Sequence, residues 1–135
     1  MKDKKKQIAI IGSSKAICTK KAYEQAYHLG KELAKRNCIV LTGGGLGVME
    51  AALKGAKEAD GLTLAILPWE NIKKVNDYAD VVVATGIGWS RNSINLSSCD
   101  GAIIVGGGAG TLNEASYAYM LSKPVVALAS SGGTA

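Results

Sequence analysis

The sequence predicts an α/β protein, a parallel β-sheet with helices on both faces, and three observations carry that expectation. Short apolar runs rich in Val, Ile and Leu alternate with longer segments of helical periodicity. The apolar runs are continuous rather than alternating, as in strands buried on both faces. Glycine is abundant, 17 in 135 residues, close to double the ~7% of average usage, and several glycines directly follow the apolar runs.

Residues 7–11 read as a buried strand ending at Gly12. Thr19 caps a helix running to about Arg36, with Ala22, Ala26, Leu29 and Leu33 on one face. Lys20, Glu24, His28, Lys31 and Lys35 lie opposite, which leaves the single histidine on the solvent side. Residues 38–42 form a second strand and 48–59 a second helix. The inner face of that helix (Val48, Ala52, Gly55, Ala59) is small enough for close packing on a sheet. Residues 62–67 form a third strand, stopped by Pro68, while the polar segment 69–80 carries no clear pattern. Strands at 81–85 and 102–105 flank a short helix at 90–98. A helix at 111–121 follows, then a strand at 125–128 after Pro124. Right-handed crossovers between such strands give a doubly wound, Rossmann-like layer structure. Ligands in such sheets bind outside the carboxyl ends of the strands, so the loops at Gly12, Gly43, Gly86 and Gly106 share one edge.

Composition narrows the function classes. Hydrophobic residues reach 47% without any phenylalanine, enough for one packed domain over residues 7–135 after a Lys-rich, flexible tail at 1–6. Net charge is +5, but residues 1–36 hold ten Lys/Arg against three acids and the remainder six against eight. The basicity is therefore a tail and a helix face rather than a nucleic-acid surface, and nucleic acid is not an expected partner. Cys18, Cys38 and Cys99 form no CxxC pair and point to neither a disulfide framework nor a metal site. No run approaches the ~18 apolar residues of a membrane span, so the expected location is the cytoplasm.

The most informative feature is an internal echo. Gly43-Gly44-Gly45-Leu46-Gly47 follows one strand and opens one helix, and Gly106-Gly107-Gly108-Ala109-Gly110 does the same 63 residues later. Glycine loops at a helix N-terminus present free N–H groups, admit close approach and add the positive end of the helix dipole, which suits phosphate. Tight turns alone would also use glycine, but two such loops on one edge favour phosphate. The candidate phosphate or nucleotide contacts are Gly12, Ser13, Gly43, Gly44, Gly45, Gly107, Gly108, Gly110 and Thr111. Neither loop reads G-x-G-x-x-G and no GxxxxGK[ST] is present. The expected ligand is a mononucleotide or a related phosphorylated molecule.

Charge scarcity selects two further residues. Between Val81 and Ser122 the only charged side chains are Arg91, Asp100 and Glu114. Arg91 stands at the start of a helix, where a cation opposes the dipole, so either a bound phosphate or carboxylate or a salt bridge to Asp100 or Glu114 explains it. Glu114 either compensates a helix dipole from its first turn or lies beside a bound sugar, where a carboxylate positions water. Glu50 reads as a surface ion pair with Lys54. Ser13 and Ser14 either contact phosphate or cap turns, Asn92 and Asn95 either read a base or ribose or face solvent, and Trp89 either stacks on a base or packs at a pocket rim.

The runs GGGLGVMEAALKGA, TGIGWSRNSINL and VGGGAGTLNEA resemble the Lonely Guy family over about residues 8–128. That resemblance implies a Rossmann-like homodimer that binds nucleoside monophosphates. In active members it implies hydrolysis of the N-glycosidic bond of a cytokinin riboside 5′-monophosphate, giving free base and ribose 5-phosphate without a required cofactor. It assigns catalytic roles to Arg91 and Glu114 and phosphate binding to Gly107, Gly108, Gly110 and Thr111. The family's usual Pro before the second loop is Gly106 here, and its Arg-Lys pair is Arg91-Asn92. Both departures bring the sequence nearer the branch of molybdenum-cofactor carrier proteins, whose role is binding. The expected function is a nucleoside 5′-monophosphate phosphoribohydrolase, with a non-catalytic nucleotide or molybdenum-cofactor carrier as the alternative. The last helix (Ala115, Tyr117, Ala118, Tyr119, Met120, Leu121) is apolar almost all round, which a homodimer would bury. Relatives continue with another strand and helix, so a partner subunit is expected to supply an edge or a pocket wall.

Overall fold

The computed structural model describes residues 3–135; the first two residues of the Lys-rich tail, Met1 and Lys2, lie outside the described residues. The chain runs β1 (Gln7–Gly12), α1 (Lys20–Lys35), β2 (Ile39–Thr42), α2 (Val48–Glu58), β3 (Thr63–Leu67), β4 (Val81–Ala84), α3 (Arg91–Ser98), β5 (Gly101–Val105), α4 (Ala109–Met120) and β6 (Val125–Ala127). Single 3-10 turns at Ile72–Lys74, Gly88–Ser90 and Ala129–Ser131 punctuate the connections. The strands form one parallel six-stranded sheet in the order β4-β3-β2-β1-β5-β6. The Rossmann-like α/β expectation is met, with element bounds shifted by one or two residues.

Two apolar layers flank the sheet because successive strand residues point to opposite faces. Ile10, Val40, Ala65, Leu67 and Val105 pack with Ala22, Ala26, Ala51, Ala52, Leu53 and Ala56 of α1 and α2. Ala9, Ile11, Leu41, Ile66, Ala102 and Ile104 pack with Leu96 of α3, Cys99 just beyond its end and Ala118 of α4. Helix α1 begins as expected, with Thr19 Oγ1 accepting from the Ala22 N–H at 3.1 Å. The end of the tail is tied down: the Lys6 carbonyl accepts from Ile39 N–H at 2.8 Å, and the Lys6 ammonium lies 3.9 Å from Asp100.

Helices α1 and α2 approach so closely that glycine is required on each. A methyl at Gly30 would overlap the Ala52 carbonyl, and one at Gly55 the Tyr27 carbonyl. The small inner face of α2 is therefore a helix-to-helix contact as well as a sheet contact. The expected Glu50–Lys54 ion pair does not form. Lys54 instead lies over the Tyr78 ring, 6.0 Å from its centroid, and an exposed i,i+4 pair offers too little to draw it away from a cation–π contact. No described helix is long and apolar enough to cross a membrane. Gly30→Ala and Gly55→Ala are each expected to destabilise by about 1–3 kcal/mol through overpacking. The readout is a lower urea midpoint at unchanged slope.

Candidate functional site

The chain order sets the place of the site. From β1 the sheet grows one way through β2, β3 and β4, and the other way through β5 and β6. The loops after β1 and β5 therefore part at a topological switch point, where a crevice opens at the carboxyl ends. Two of the cavities at this edge adjoin each other. The smaller, about 190 Å³, is lined by Gly12, Arg91, Gly108, Gly110, Thr111 and Glu114 among others. The larger, about 550 Å³, is lined by Gly43, Gly45, Leu46, Pro68 and Trp69 among others. Ser14, Met49, Trp89 and Arg91 border both.

The second glycine loop is held by its neighbours. Gly107 N–H donates to Ser13 Oγ at 2.7 Å, Gly106 N–H to Ser131 Oγ at 2.7 Å, and Thr111 Oγ1 to the Gly12 carbonyl at 3.1 Å. Thr134 and Ala135 donate their N–H groups to the carbonyls of Gly107 and Gly106, each at 3.1 Å. The first amide with a helical acceptor in α4 is Leu112, which bonds Gly108 O at 3.0 Å. The amides of Gly108, Ala109, Gly110 and Thr111 thus stand without helical acceptors, an anion-favouring group beside the smaller cavity. Of the expected contacts, Gly12, Gly108, Gly110 and Thr111 border that cavity, and Gly43 and Gly45 border the larger one. Ser13, Gly44 and Gly107 border neither: Ser13 and Gly107 bond each other, and Gly44 (φ +78) turns against Leu67 and Ala65.

Arg91 is the first residue of α3 and only 8% exposed. Neither acid closes on it. Asp100 takes Lys6, and no ion pair within 4.0 Å joins Arg91 to Glu114 among the described residues. The Arg91 Nε is buried and has no hydrogen-bond partner. Burial pulls its guanidinium below the usual arginine range, and the charge of Glu114 opposes that shift. Gly43 makes the seat, since a methyl there would overlap the guanidinium Nη1.

Glu114 is not in the first turn of its helix, as the sequence reading has it. Helix α4 starts at Ala109, so Glu114 falls in the second turn, buried, with no role in compensating the dipole. Asn95 Nδ2 donates to its Oε2 at 3.5 Å, and the fully buried Asn95 leaves its own Oδ1 without a partner. Burial raises the Glu114 pKa to about 7, against the lowering effects of Arg91 and the Asn95 hydrogen bond. Asn92 donates to Asn113 Oδ1 at 3.0 Å and borders the smaller cavity. Trp89 is 78% exposed, so it is not packed away. Sequence reasoning missed Trp69 and Met49. Trp69 carried a usable signal, because Pro68-Trp69 follows a strand on the ligand edge.

The model of the SLOG cluster4 family matches residues 5–134. The molybdenum cofactor binding protein of the phototrophic bacterium Rippkaea orientalis superposes with a TM-score of 0.89 at 42% identity, over 92% of this chain and 76% of that one. The molybdenum cofactor carrier protein of Chlamydomonas reinhardtii gives a TM-score of 0.84 at 40% identity, over 92% and 76%. A cytokinin riboside 5′-monophosphate phosphoribohydrolase of Mycobacterium tuberculosis is 31% identical over 67% of this chain and 50% of its own length. The resemblance to Lonely Guy proteins and to the carrier branch is thereby borne out.

Glu114 makes stability depend on pH. Its folded pKa of about 7 lies above its ordinary 4.5, so its contribution is full below pH ~4.5 and is lost as pH rises through ~7, by on the order of 3 kcal/mol. Denaturation midpoints of Glu114→Gln measured across this window are expected to lack that decline.

Proposed function

The chain belongs to the SLOG cluster4 family, and from that premise we propose that it is a nucleotide-binding protein whose cleft takes a nucleoside 5′-monophosphate or a closely related phosphorylated ligand. The observation that carries this reading is the buried Arg91, with its Nε unpartnered and no acid within ion-pair distance. A guanidinium in that state is poised to hold a phosphate. The amides from Gly108 to Thr111 add the dipole end of α4 to the same cavity. Relatives named for binding or carrying the molybdenum cofactor support a small-molecule ligand.

A second reading, hydrolysis of the N-glycosidic bond, is favoured by Glu114. A carboxylate with a pKa of about 7 is ionised in a large fraction of molecules at neutral pH and still basic enough to take a proton. In this reaction a water oxygen bonds to the anomeric carbon of the ribose while the bond to the base nitrogen breaks. Glu114 takes the water proton, the departing base nitrogen takes a proton from solvent and leaves neutral, and Glu114 then returns its proton to solvent. Arg91 holds the phosphate so that the anomeric carbon stays within reach of Glu114. The phosphoribohydrolase relative supports this reading, and the carrier relatives support retention without turnover.

Incubation with AMP and other nucleoside monophosphates separates the two. Release of free base that Glu114→Ala abolishes while binding is kept supports the hydrolase. Binding without base release across the panel rejects the hydrolase and leaves the carrier. Arg91→Met is expected to weaken binding of any phosphorylated ligand by at least tenfold, read by calorimetry.

The same reading extends to a homodimer. Leu112, Tyr119 and Met120 of α4 are 59%, 85% and 66% exposed, a run of apolar surface on one helix that a second copy would cover. Light scattering is expected to give twice the chain mass, reverting to the monomer in Tyr119→Asp/Met120→Asp.

A further inference from the structure

After β6 the chain turns back over the second glycine loop. The 3-10 turn at Ala129–Ser131 is tied to α1, with Gln25 Nε2 donating to Ser130 Oγ at 3.1 Å. Gly132 and Gly133 follow at φ of +74° and +61°, a reversal that side-chain-bearing residues rarely make. Residues 131–135 then lie along the loop as a strap. Gly106 N–H donates to Ser131 Oγ at 2.7 Å, and Ala135 N–H to Gly106 O at 3.1 Å. Thr134 is bonded twice, its N–H to Gly107 O at 3.1 Å and its Oγ1 to Gly108 O at 3.0 Å. The approach is so close that a methyl at Gly133 would overlap the Gly107 carbonyl.

These bonds fix successive peptide planes. In a trans peptide the C=O and N–H of one plane point in opposite directions. The Gly106 carbonyl turns to Ala135, and the Gly107 N–H of the same plane meets Ser13 Oγ on the other side. The Gly107 carbonyl turns to Thr134, so the Gly108 N–H faces away from the strap. Gly108 lines the smaller cavity, and no strap residue does. The Gly108 carbonyl takes both the Leu112 N–H and the Thr134 hydroxyl, which directs the Ala109 N–H. Helix α4 thus helps to orient Ala109 through Leu112, but it has no hold on the plane of the Gly108 N–H. Among the described residues, Gly107 O accepts from Thr134 alone. The cavity that these amides border is the one where the buried Arg91 Nε has no partner.

We propose that residues 131–135 are a positioning strap for the anion site, with Thr134 as its central positioning residue. Its N–H and hydroxyl hold two successive loop carbonyls so that the Gly108 and Ala109 N–H groups face a bound phosphate. The inference rests on the phosphorylated-ligand reading above and adds where the order of the glycine loop comes from. Gly106 and Gly107 sit at φ of +62° and +111°, and three glycines in a row are free to leave that path. Without the strap, ordering the loop would oppose binding; with it, the amides are aimed before the ligand arrives. Thr134 lines no part of the cavity and acts only through the loop.

The test measures AMP and adenosine binding by calorimetry, because the ratio of the two affinities isolates the phosphate. Thr134→Val keeps the side-chain shape and removes the hydroxyl, whereas Thr134→Ser keeps the hydroxyl. Gly133→Ala pushes the strap off Gly107 and leaves Thr134 itself intact. The unaltered protein is expected to favour AMP by at least tenfold. That ratio is expected to fall about fivefold in Thr134→Val, to fall further in Gly133→Ala and to hold in Thr134→Ser, with adenosine affinity unchanged throughout. A full ratio in both Thr134→Val and Gly133→Ala overturns the strap while the anion site stands. A parallel fall in both affinities marks general loosening of the fold and also overturns it. A ratio near one in the unaltered protein removes the anion site and the role of the strap together.

Discussion

Five residue pairs, from Ile8–Gly101 to Gly12–Val105, hold β1 against β5, and on either side of this pairing the chain winds in opposite directions. The loops after the two strands must separate there, because one leads to α1 and the other to α4, on opposite faces of the sheet. The crevice left between them is a consequence of connectivity. Across its floor Ser13 N–H bonds Val105 O at 3.2 Å, and Ser13 Oγ accepts from Gly107 N–H, so the gap is bridged at its base. What remains open above is lined by helix-terminal amides and by Arg91. Without the β1–β5 register, Gly12 and Gly108 to Thr111 would not face one space.

Within that space, burial works against both charged groups. A guanidinium and a carboxylate removed from water each lose hydration, and only close pairing would repay it. The two are near enough to affect each other's proton affinity yet form no ion pair. Such an arrangement stores free energy at a site instead of adding it to the stability of the fold. Gly43 keeps the guanidinium where it is, and Asn95 touches the carboxylate with an amide whose other end is unsatisfied. An amide can serve either protonation state by turning over, which suits a carboxyl group balanced near neutrality.

The sheet and most helices were legible because they obey one rule each: continuous apolar runs for buried parallel strands, and a 3.6-residue stripe for α1 and α2. The start of α4 was less so. Ala109-Gly110 looks like loop by composition, yet glycine in the first turn, where the amide has no helical acceptor, disturbs little. The helix therefore begins two residues earlier than the pattern suggests, and that shift places Glu114, which is buried, in the second turn instead of the first. Arg91 was found through scarcity of charge, a signal that survives without any periodicity. The place of Trp69 at the cavity wall was hidden for the opposite reason. Its segment has no pattern of its own, and its position depends on backbone bonds from Gly86 to Trp69 and from Gly88 to Pro68, which join residues far apart in sequence.

The electrostatic link between Arg91 and Glu114 has a thermodynamic corollary. The positive charge of Arg91 holds the Glu114 pKa lower than burial alone would. Any anion seated against the guanidinium cancels part of that charge and so draws a fraction of a proton onto the carboxyl group. By reciprocity, acidification then tightens the hold on the anion by the same factor. Near neutral pH, where Glu114 is about half protonated, the cleft couples the occupancy of an anion to the activity of protons.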